Sequence, residues 1–182
     1  GIDPARVDDV YLGCGNHWNT QSYNLGRLTV HTSRLPNTVG GFVLDRKCSS
    51  GLNAIALAAR SIICDEIDVA MAGGVESVSL TLNKHAPAFR NRSQAVIAAD
   101  PYAYMVMLET AEVVAERYGI TREAQDRFAA LSQQRAGAAQ AAGRFDAEIA
   151  PITVTKALFD KEGNETGKEQ VTCAKDEGVR GD

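Results

Sequence analysis

Cys48 stands in the run Gly41-Phe-Val-Leu-Asp-Arg-Lys-Cys-Ser-Ser-Gly51-Leu52, between an apolar stretch ending at Leu44 and a long alanine-rich segment. From Ser50 onward, apolar residues recur at Leu52, Ile55, Ala56, Ala59, Ile62 and Ile63, the spacing of a helix buried along one face. The cysteine therefore falls where a strand hands over to a helix, next to unpaired backbone N–H groups and the positive end of the helix dipole. A thiol so placed can have its pKa lowered from about 8.5 into the range of about 3.5–7.5, which makes it a nucleophile at neutral pH. Arg46 and Lys47 push the same way if they point inward. The competing reading is a small core hydrophobe, since free cysteine is among the most buried residue types.

The elements that must position Cys48 follow from pattern. Val7–Leu12 reads as a strand, Gly13–Thr20 as a loop, and Tyr23–Ser33 as a helix broken by Pro36. Thr38–Leu44 is a second strand, Ser50–Cys64 a helix and Ile67–Met71 a third strand. Strand, crossover helix and strand within ~30 residues form a βαβ unit, so the strands share a mostly parallel sheet. Ligands gather at the carboxyl ends of such strands, where Cys48 emerges. His17 and Trp18 read as loop contacts or pocket lining. Gly73-Gly74 marks a close backbone approach or positive φ, and no Lys-Ser/Thr follows to make a P-loop.

Leu80–Pro101, with His85, Pro87, Arg90 and Arg92, has no sustained period and reads as a long irregular excursion whose arginines are solvated charge or anion contacts. Helical spacing returns from Met107 and stops at Gly119; Thr121 caps a second helix whose buried face carries Phe128 and Leu131 and which Gly143 ends. Ile149–Phe159 and Glu169–Cys173 form a hairpin around Asp160–Lys168. Lys175–Arg180 is an exposed tail.

The chain has 182 residues, 45% of them hydrophobic, and a net charge of −4. That composition is globular, and its pI of about 5.4 gives no basic footprint for nucleic acid. No run approaches the roughly 18 apolar residues of a membrane span. The four cysteines, Cys14, Cys48, Cys64 and Cys173, make no disulfide framework. Cys14 and His17 form a C-x-x-H without a second pair of zinc spacing, so no metal is expected. A reducing, cytoplasmic setting is the default. The opening Gly1-Ile-Asp-Pro4 has neither an initiator Met nor a signal pattern and reads as a cut from something longer.

Asp45-Arg-Lys-Cys-Ser-Ser-Gly-Leu52, followed by Asp68-Val-Ala-Met-Ala-Gly-Gly-Val-Glu-Ser77, resembles the thiolase family. Met107–Asp126, Ser132–Arg135, Gly143–Ile149 and Lys175–Gly178 also fall in the family's order, so the likeness covers nearly the whole chain. The resemblance implies an α/β fold of the thiolase-like layered kind with a βαβ core, residues 1–77 being part of the N-terminal α/β domain and 78–182 part of the loop domain. It implies an acyl-CoA C-acyltransferase that forms or cleaves 3-ketoacyl-CoA. Cys48 would attack the thioester carbonyl and hold the acyl group, with its own backbone N–H as one donor to the acyl oxygen. Met107 matches a family methionine beside the pantetheine arm. Coenzyme A thioesters are the substrate, no cofactor is implied, and the parent protein would be a homodimer or homotetramer.

Three departures stand out. The family's second-half motifs Asn-Glu-Ala-Phe, Gly-His-Pro and Cys-x-Gly, which supply an activating histidine and a general-base cysteine, do not occur, nor does its opening strand and helix. Leu108 replaces the family glycine after Met107, and Val106 stands where short-chain biosynthetic members carry histidine. The chain is thus expected to be a fragment, nearly silent in turnover alone. The rival readings are a ketoacyl synthase-like condensing enzyme, against which Lys47 and the Ala-Gly-Gly-Val-Glu-Ser run argue, and a non-catalytic thiolase-like module that binds CoA or lipid.

Overall fold

A computed structural model describes residues 1–83, 86 and 91–181. It forms two compact units, Gly1–Ala98 and Ala99–Asp182.

In the first unit, three parallel strands, β1 (Asp9–Gly13), β2 (Phe42–Leu44) and β3 (Ala70–Gly74), lie in the order β2-β1-β3. Tyr11 faces Phe42 on one side and Ala72 on the other. Helix α1 (Leu25–Thr32) links β1 to β2, and α2 (Ser50–Ile63) links β2 to β3. The two connections run in opposite directions along the sheet, so their right-handed crossovers place the helices on opposite faces. β1 is consequently covered on both sides. Val7 and Val10 pack with Val30 of α1 and with Val39, while Tyr11 packs with Ala54 and Ala58 of α2. The Tyr11 hydroxyl donates to Ser61 Oγ at 2.9 Å, and its ring meets Phe42 edge-on at 4.7 Å.

Two strands are shorter or later than pattern predicts. Val39 closes a turn onto the Pro36 carbonyl, and a side chain on Gly41 would strike the backbone of Gly26 at 2.8 Å, so the chain becomes a strand only at Phe42. At the third strand the amides of Asp68 and Val69 both donate to Asp8 Oδ2 at 2.9 Å. Those donors are taken by a side chain, and the ladder begins at Ala70. These two N–H groups hold the Asp8 carboxyl below its usual range.

The face of α2 that packs on the sheet is also not the one predicted. Ser50, Ala54 and Ala58 are buried, whereas Leu52 is 73% and Ile63 is 78% exposed. Small residues face the sheet because α2 rides so close to it that a Cβ on Gly13 would lie 2.3 Å from the Ser50 carbonyl carbon. After β3 come α3 (Val78–Thr81) and α4 (Gln94–Ala99), short helices within a stretch expected to be irregular. Arg92 is exposed; the readings made for His85, Pro87 and Arg90 lie outside the described residues.

In the second unit, α5 (Met107–Tyr118) ends at Gly119 with φ +62, and Thr121 Oγ1 caps α6 (Arg122–Ala141) by accepting the Ala124 N–H. Strands β4 (Ile152–Phe159) and β5 (Glu165–Cys173) pair antiparallel as the expected hairpin, but β4 starts three residues later than predicted and β5 begins at Glu165, inside the predicted turn, with an irregularity at Leu158/Phe159. The tail is exposed as expected, apart from a half-buried Val179, and is bonded to α6: the Arg180 N–H donates to Gln133 Oε1 at 2.8 Å, and Gln140 Nε2 donates to the Asp176 carbonyl at 2.9 Å. Those contacts use the middle and end of α6. Phe128 and Leu131, predicted to be buried, are 77% and 44% exposed.

Candidate active site

β2 ends at Leu44, and the chain must reverse into α2 within five residues, Asp45 to Ser49. Lys47 makes the reversal with φ +51, a left-handed backbone that residues other than glycine rarely adopt. Asp45 spans the turn: Oδ1 accepts the Lys47 N–H at 2.8 Å and Oδ2 meets Lys47 Nζ at 2.7 Å. Partial burial opposes the charge on Asp45, but these bonds outweigh it and hold the carboxyl below its usual range. The hydroxyls that follow the cysteine are turn fasteners. Ser49 Oγ donates to the Arg46 carbonyl at 2.8 Å; Ser50 Oγ donates to the Lys47 carbonyl at 2.6 Å and accepts the Arg46 N–H at 2.8 Å.

Cys48 lies at the outside of this turn, exposed, two residues before the first residue of α2. It opens onto a cleft of about 450 Å³. Gly13 and Gly74, the last residues of β1 and β3, line that cleft together with Gly51, Asn16, Val75 and Glu76. The cleft thus occupies the carboxyl end of the sheet at β1, where the strand order reverses and open α/β sheets receive ligands. Gly74 answers one expectation: neither glycine of the pair has positive φ, but a Cβ on Gly74 would lie 3.2 Å from Gly51 Cα. The close approach of β3 to α2 is what Gly74 permits. Gly73 has open space beside it.

A second set of bonds ties the three strand-end loops together. Gly15 donates its N–H to Glu76 Oε2 at 3.0 Å and accepts Lys47 Nζ on its carbonyl at 3.0 Å. Gln21, 3% exposed, donates to the Asn16 carbonyl at 2.7 Å and to Glu76 Oε1 at 2.5 Å, and accepts the Ser77 N–H. The Gln21 bond is the main reason the Glu76 carboxyl sits below its usual range; slight desolvation opposes it, and the Gly15 N–H adds to it. Sequence pattern gives no sign of Gln21 and shows Glu76 only within a motif. A lone glutamine in a loop carries no periodicity that would mark it.

The remaining candidates serve the loops. Trp18 Nε1 donates to the Thr81 carbonyl at 3.0 Å, and the His17 ring meets the Tyr23 carbonyl. Cys14 is 1% exposed, and burial pushes its thiol pKa up, with the Glu76 and Asp45 carboxylates adding to the effect. Among the described residues no three His, Cys, Asp or Glu side chains gather as a metal site, and no helix is long and apolar enough to cross a membrane. Met107, in the second unit, opens α5 and is 72% exposed. Among the described residues lining the cleft there is no histidine. The arrangement can present a thiol and hold it still; the carboxylate that lines the cleft, Glu76, is taken up by bonds to Gln21 and the Gly15 N–H.

A family model described as the N-terminal domain of thiolase matches residues 1–182. The chain belongs to the thiolase family. It is 39% identical to the beta-ketoadipyl-CoA thiolase of Pseudomonas aeruginosa over 169 residues, covering 85% of this chain and 42% of that protein. It is also 39% identical to the 3-ketoacyl-CoA thiolase of Bacillus subtilis over 177 residues, covering 97% of this chain and 44% of the relative. The crystal structure of the Bacillus anthracis acetyl-CoA acetyltransferase superposes with a TM-score of 0.75 at 34% identity, covering 100% of this chain and 45% of that one. The chain thus spans less than half the length of these thiolase-family relatives, and its layered α/β unit is the part that carries Cys48.

Proposed function

We propose that the chain is the nucleophile-bearing portion of an acyl-CoA C-acyltransferase that forms or cleaves 3-ketoacyl-CoA. The Cys48 thiolate attacks the thioester carbonyl, an S–acyl bond forms, and the CoA thiolate leaves and takes up a proton. The acyl group is then passed to a second acyl-CoA or to CoA. Splitting the transfer into two steps lowers each barrier, and backbone N–H donors such as that of Cys48 stabilise the oxyanion. The observation that carries this reading is the exposed Cys48 on a braced left-handed turn, facing a cleft at the carboxyl end of the sheet. No histidine lines the cleft among the described residues, and the Glu76 carboxylate there is taken up by bonds to Gln21 and the Gly15 N–H, so this reading draws a histidine and a second cysteine from elsewhere in the whole protein. Residues 1–77 are assigned to the N-terminal α/β domain and 78–182 to the loop domain, with Met107 beside the pantetheine arm. The whole protein works in the cytoplasm as a homodimer or homotetramer without a metal or redox cofactor.

The test is incubation of the chain with acetyl-CoA or iodoacetamide near pH 7, followed by mass mapping. Acetyl or carbamidomethyl mass concentrates on Cys48 and vanishes from that peptide in Cys48→Ser. Slow, uniform labelling of the cysteines would overturn the reading and leave a thiolase-like module that binds CoA without chemistry.

A further inference from the structure

We propose that Gln21 is a positioning residue: it clasps the loop after β1 to the loop after β3 and so fixes the wall of the cleft onto which Cys48 opens. The inference rests on the reading of Cys48 as the nucleophile. Gln21 does not itself line the cleft, but Asn16 and Glu76 do, and its amide joins them. Nε2 donates to the Asn16 carbonyl at 2.7 Å and to Glu76 Oε1 at 2.5 Å, and Oε1 accepts the Ser77 N–H. Both donors and the acceptor are thus used on a residue 3% exposed, where water does not readily replace a lost partner. The amide is delivered from a fixed base. Gln21 donates its N–H to the Trp18 carbonyl at 3.0 Å, and Trp18 Nε1 donates to the carbonyl of the buried Thr81 at 3.0 Å. A second tie, from the Gly15 N–H to Glu76 Oε2 at 3.0 Å, is exposed, and Gln21 holds the other oxygen of that carboxylate. Without the amide, Asn16, Glu76 and Ser77 lose the group that joins them, and the two loops are released. The backbone bond from the Val75 N–H to the Gly13 carbonyl at 2.9 Å still holds the strand ends, so the opening is confined to the loops.

Cys14 reports on the wall without involving Cys48: it is 1% exposed and stands between Gly13 and Gly15, both of which line the cleft. The experiment measures iodoacetamide labelling of each cysteine in the full chain by mass mapping, without denaturant and in urea well below the unfolding midpoint. Gln21→Ala raises Cys14 labelling by about 10-fold or more, the scale set by leaving buried polar groups unpaired. Low urea leaves the raised rate nearly unchanged, as local opening does and global unfolding does not. Gln21→Glu fills the same space without the donors and labels as fast as Gln21→Ala. Adding Glu76→Ala to Gln21→Ala stays within about 2-fold of Gln21→Ala alone, because the two side chains form one clasp. At Cys48, acetylation by acetyl-CoA slows by about 5-fold or more in Gln21→Ala, because the wall no longer positions what enters. Its alkylation by iodoacetamide stays within about 2-fold, since the Asp45, Ser49 and Ser50 bonds keep the turn in place. Unchanged Cys14 labelling in Gln21→Ala, or a rise that grows steeply with urea, overturns the proposal. So do a Gln21→Glu variant that matches the parent, multiplying effects in the double variant, and equal slowing of both Cys48 reactions. A parent chain whose Cys48 takes no acetyl group instead removes the nucleophile reading, while Cys14 still decides whether Gln21 holds the wall.

Discussion

Gly13 closes β1 directly beneath the start of α2, and replacing it with alanine puts a methyl group where there is only main chain. The added Cβ would lie 2.3 Å from the Ser50 carbonyl carbon, 2.4 Å from its oxygen and 2.5 Å from the Gly51 nitrogen. Ordinary contact is about 3.5–4.0 Å, and peptide atoms cannot swing aside as a side-chain tip can. α2 must lift by more than 1 Å, roughly, against the packing of Ala54 and Ala58 on Tyr11 and the Tyr11–Ser61 bond. Overpacking of this kind costs about 1–3 kcal/mol, and with backbone on every side the upper end, about 3 kcal/mol, is expected. Gly73, one strand over, has nothing within 4 Å of the point where a methyl group would sit, so Gly73→Ala stays within about 0.5 kcal/mol of the parent. The chain has a single tryptophan, and Trp18 lies in the first unit bonded to Thr81, so its fluorescence during urea unfolding reports on that unit. With a slope of about 1–1.5 kcal/mol/M, the Gly13→Ala midpoint falls by about 2–3 M. Equal midpoints for the two variants would refute the claim that α2 sits on β1 through bare backbone.

The same assay checks two further expectations. The folded carboxyls of Glu76 and Asp45 lie below their ordinary values of 4.5 and 3.8, so their contribution is complete above those values and lost as pH falls through the folded ones. The urea midpoint therefore drops below about pH 4.5, and Glu76→Gln shows a smaller acid loss; an identical acid profile in that variant would count against the Gln21–Glu76 bond. On α2, Ala54→Leu, at a position 0% exposed, costs about 1–3 kcal/mol, whereas Leu52→Ala, 73% exposed, changes stability by about 0.5 kcal/mol or less. The reverse order would restore the helix face that spacing alone suggests.

That helix shows where sequence pattern stops being informative. Its existence and ends, Ser50–Ile63, are legible because alanine-rich spacing and hydroxyl residues at the start are local properties. Which face meets the sheet is not, because the deciding quantity is the distance between backbones: glycines at 13, 51 and 74 bring strand and helix so close that only serine and alanine fit between them. A hydrophobicity pattern weighs Leu52 and Ile63 above Ala54 and points the wrong way. The same holds for the site. Cys48 at a strand–helix junction is readable, as is Gly74 as a point of close approach. Gln21, Asp45 and the Asp8 clamp on β3 are not, since each acts through hydrogen bonds to groups far away in sequence or hidden within a turn. In the second unit, spacing locates the helices and the hairpin but not the docking of the tail on α6, which depends on Gly137 and Gly181 meeting backbone to backbone.

Much of the wall behind Cys48 is made of peptide groups at Gly13, Gly51 and Gly74 rather than of side chains. Such a surface offers mutation almost nothing to exchange, since any added carbon at Gly13 collides and at Gly74 crowds its neighbour. Variation in the shape of what this recess admits is therefore confined to its polar and branched margin, at Asn16, Val75 and Val78, and diversification among related chains should be sought at those three positions.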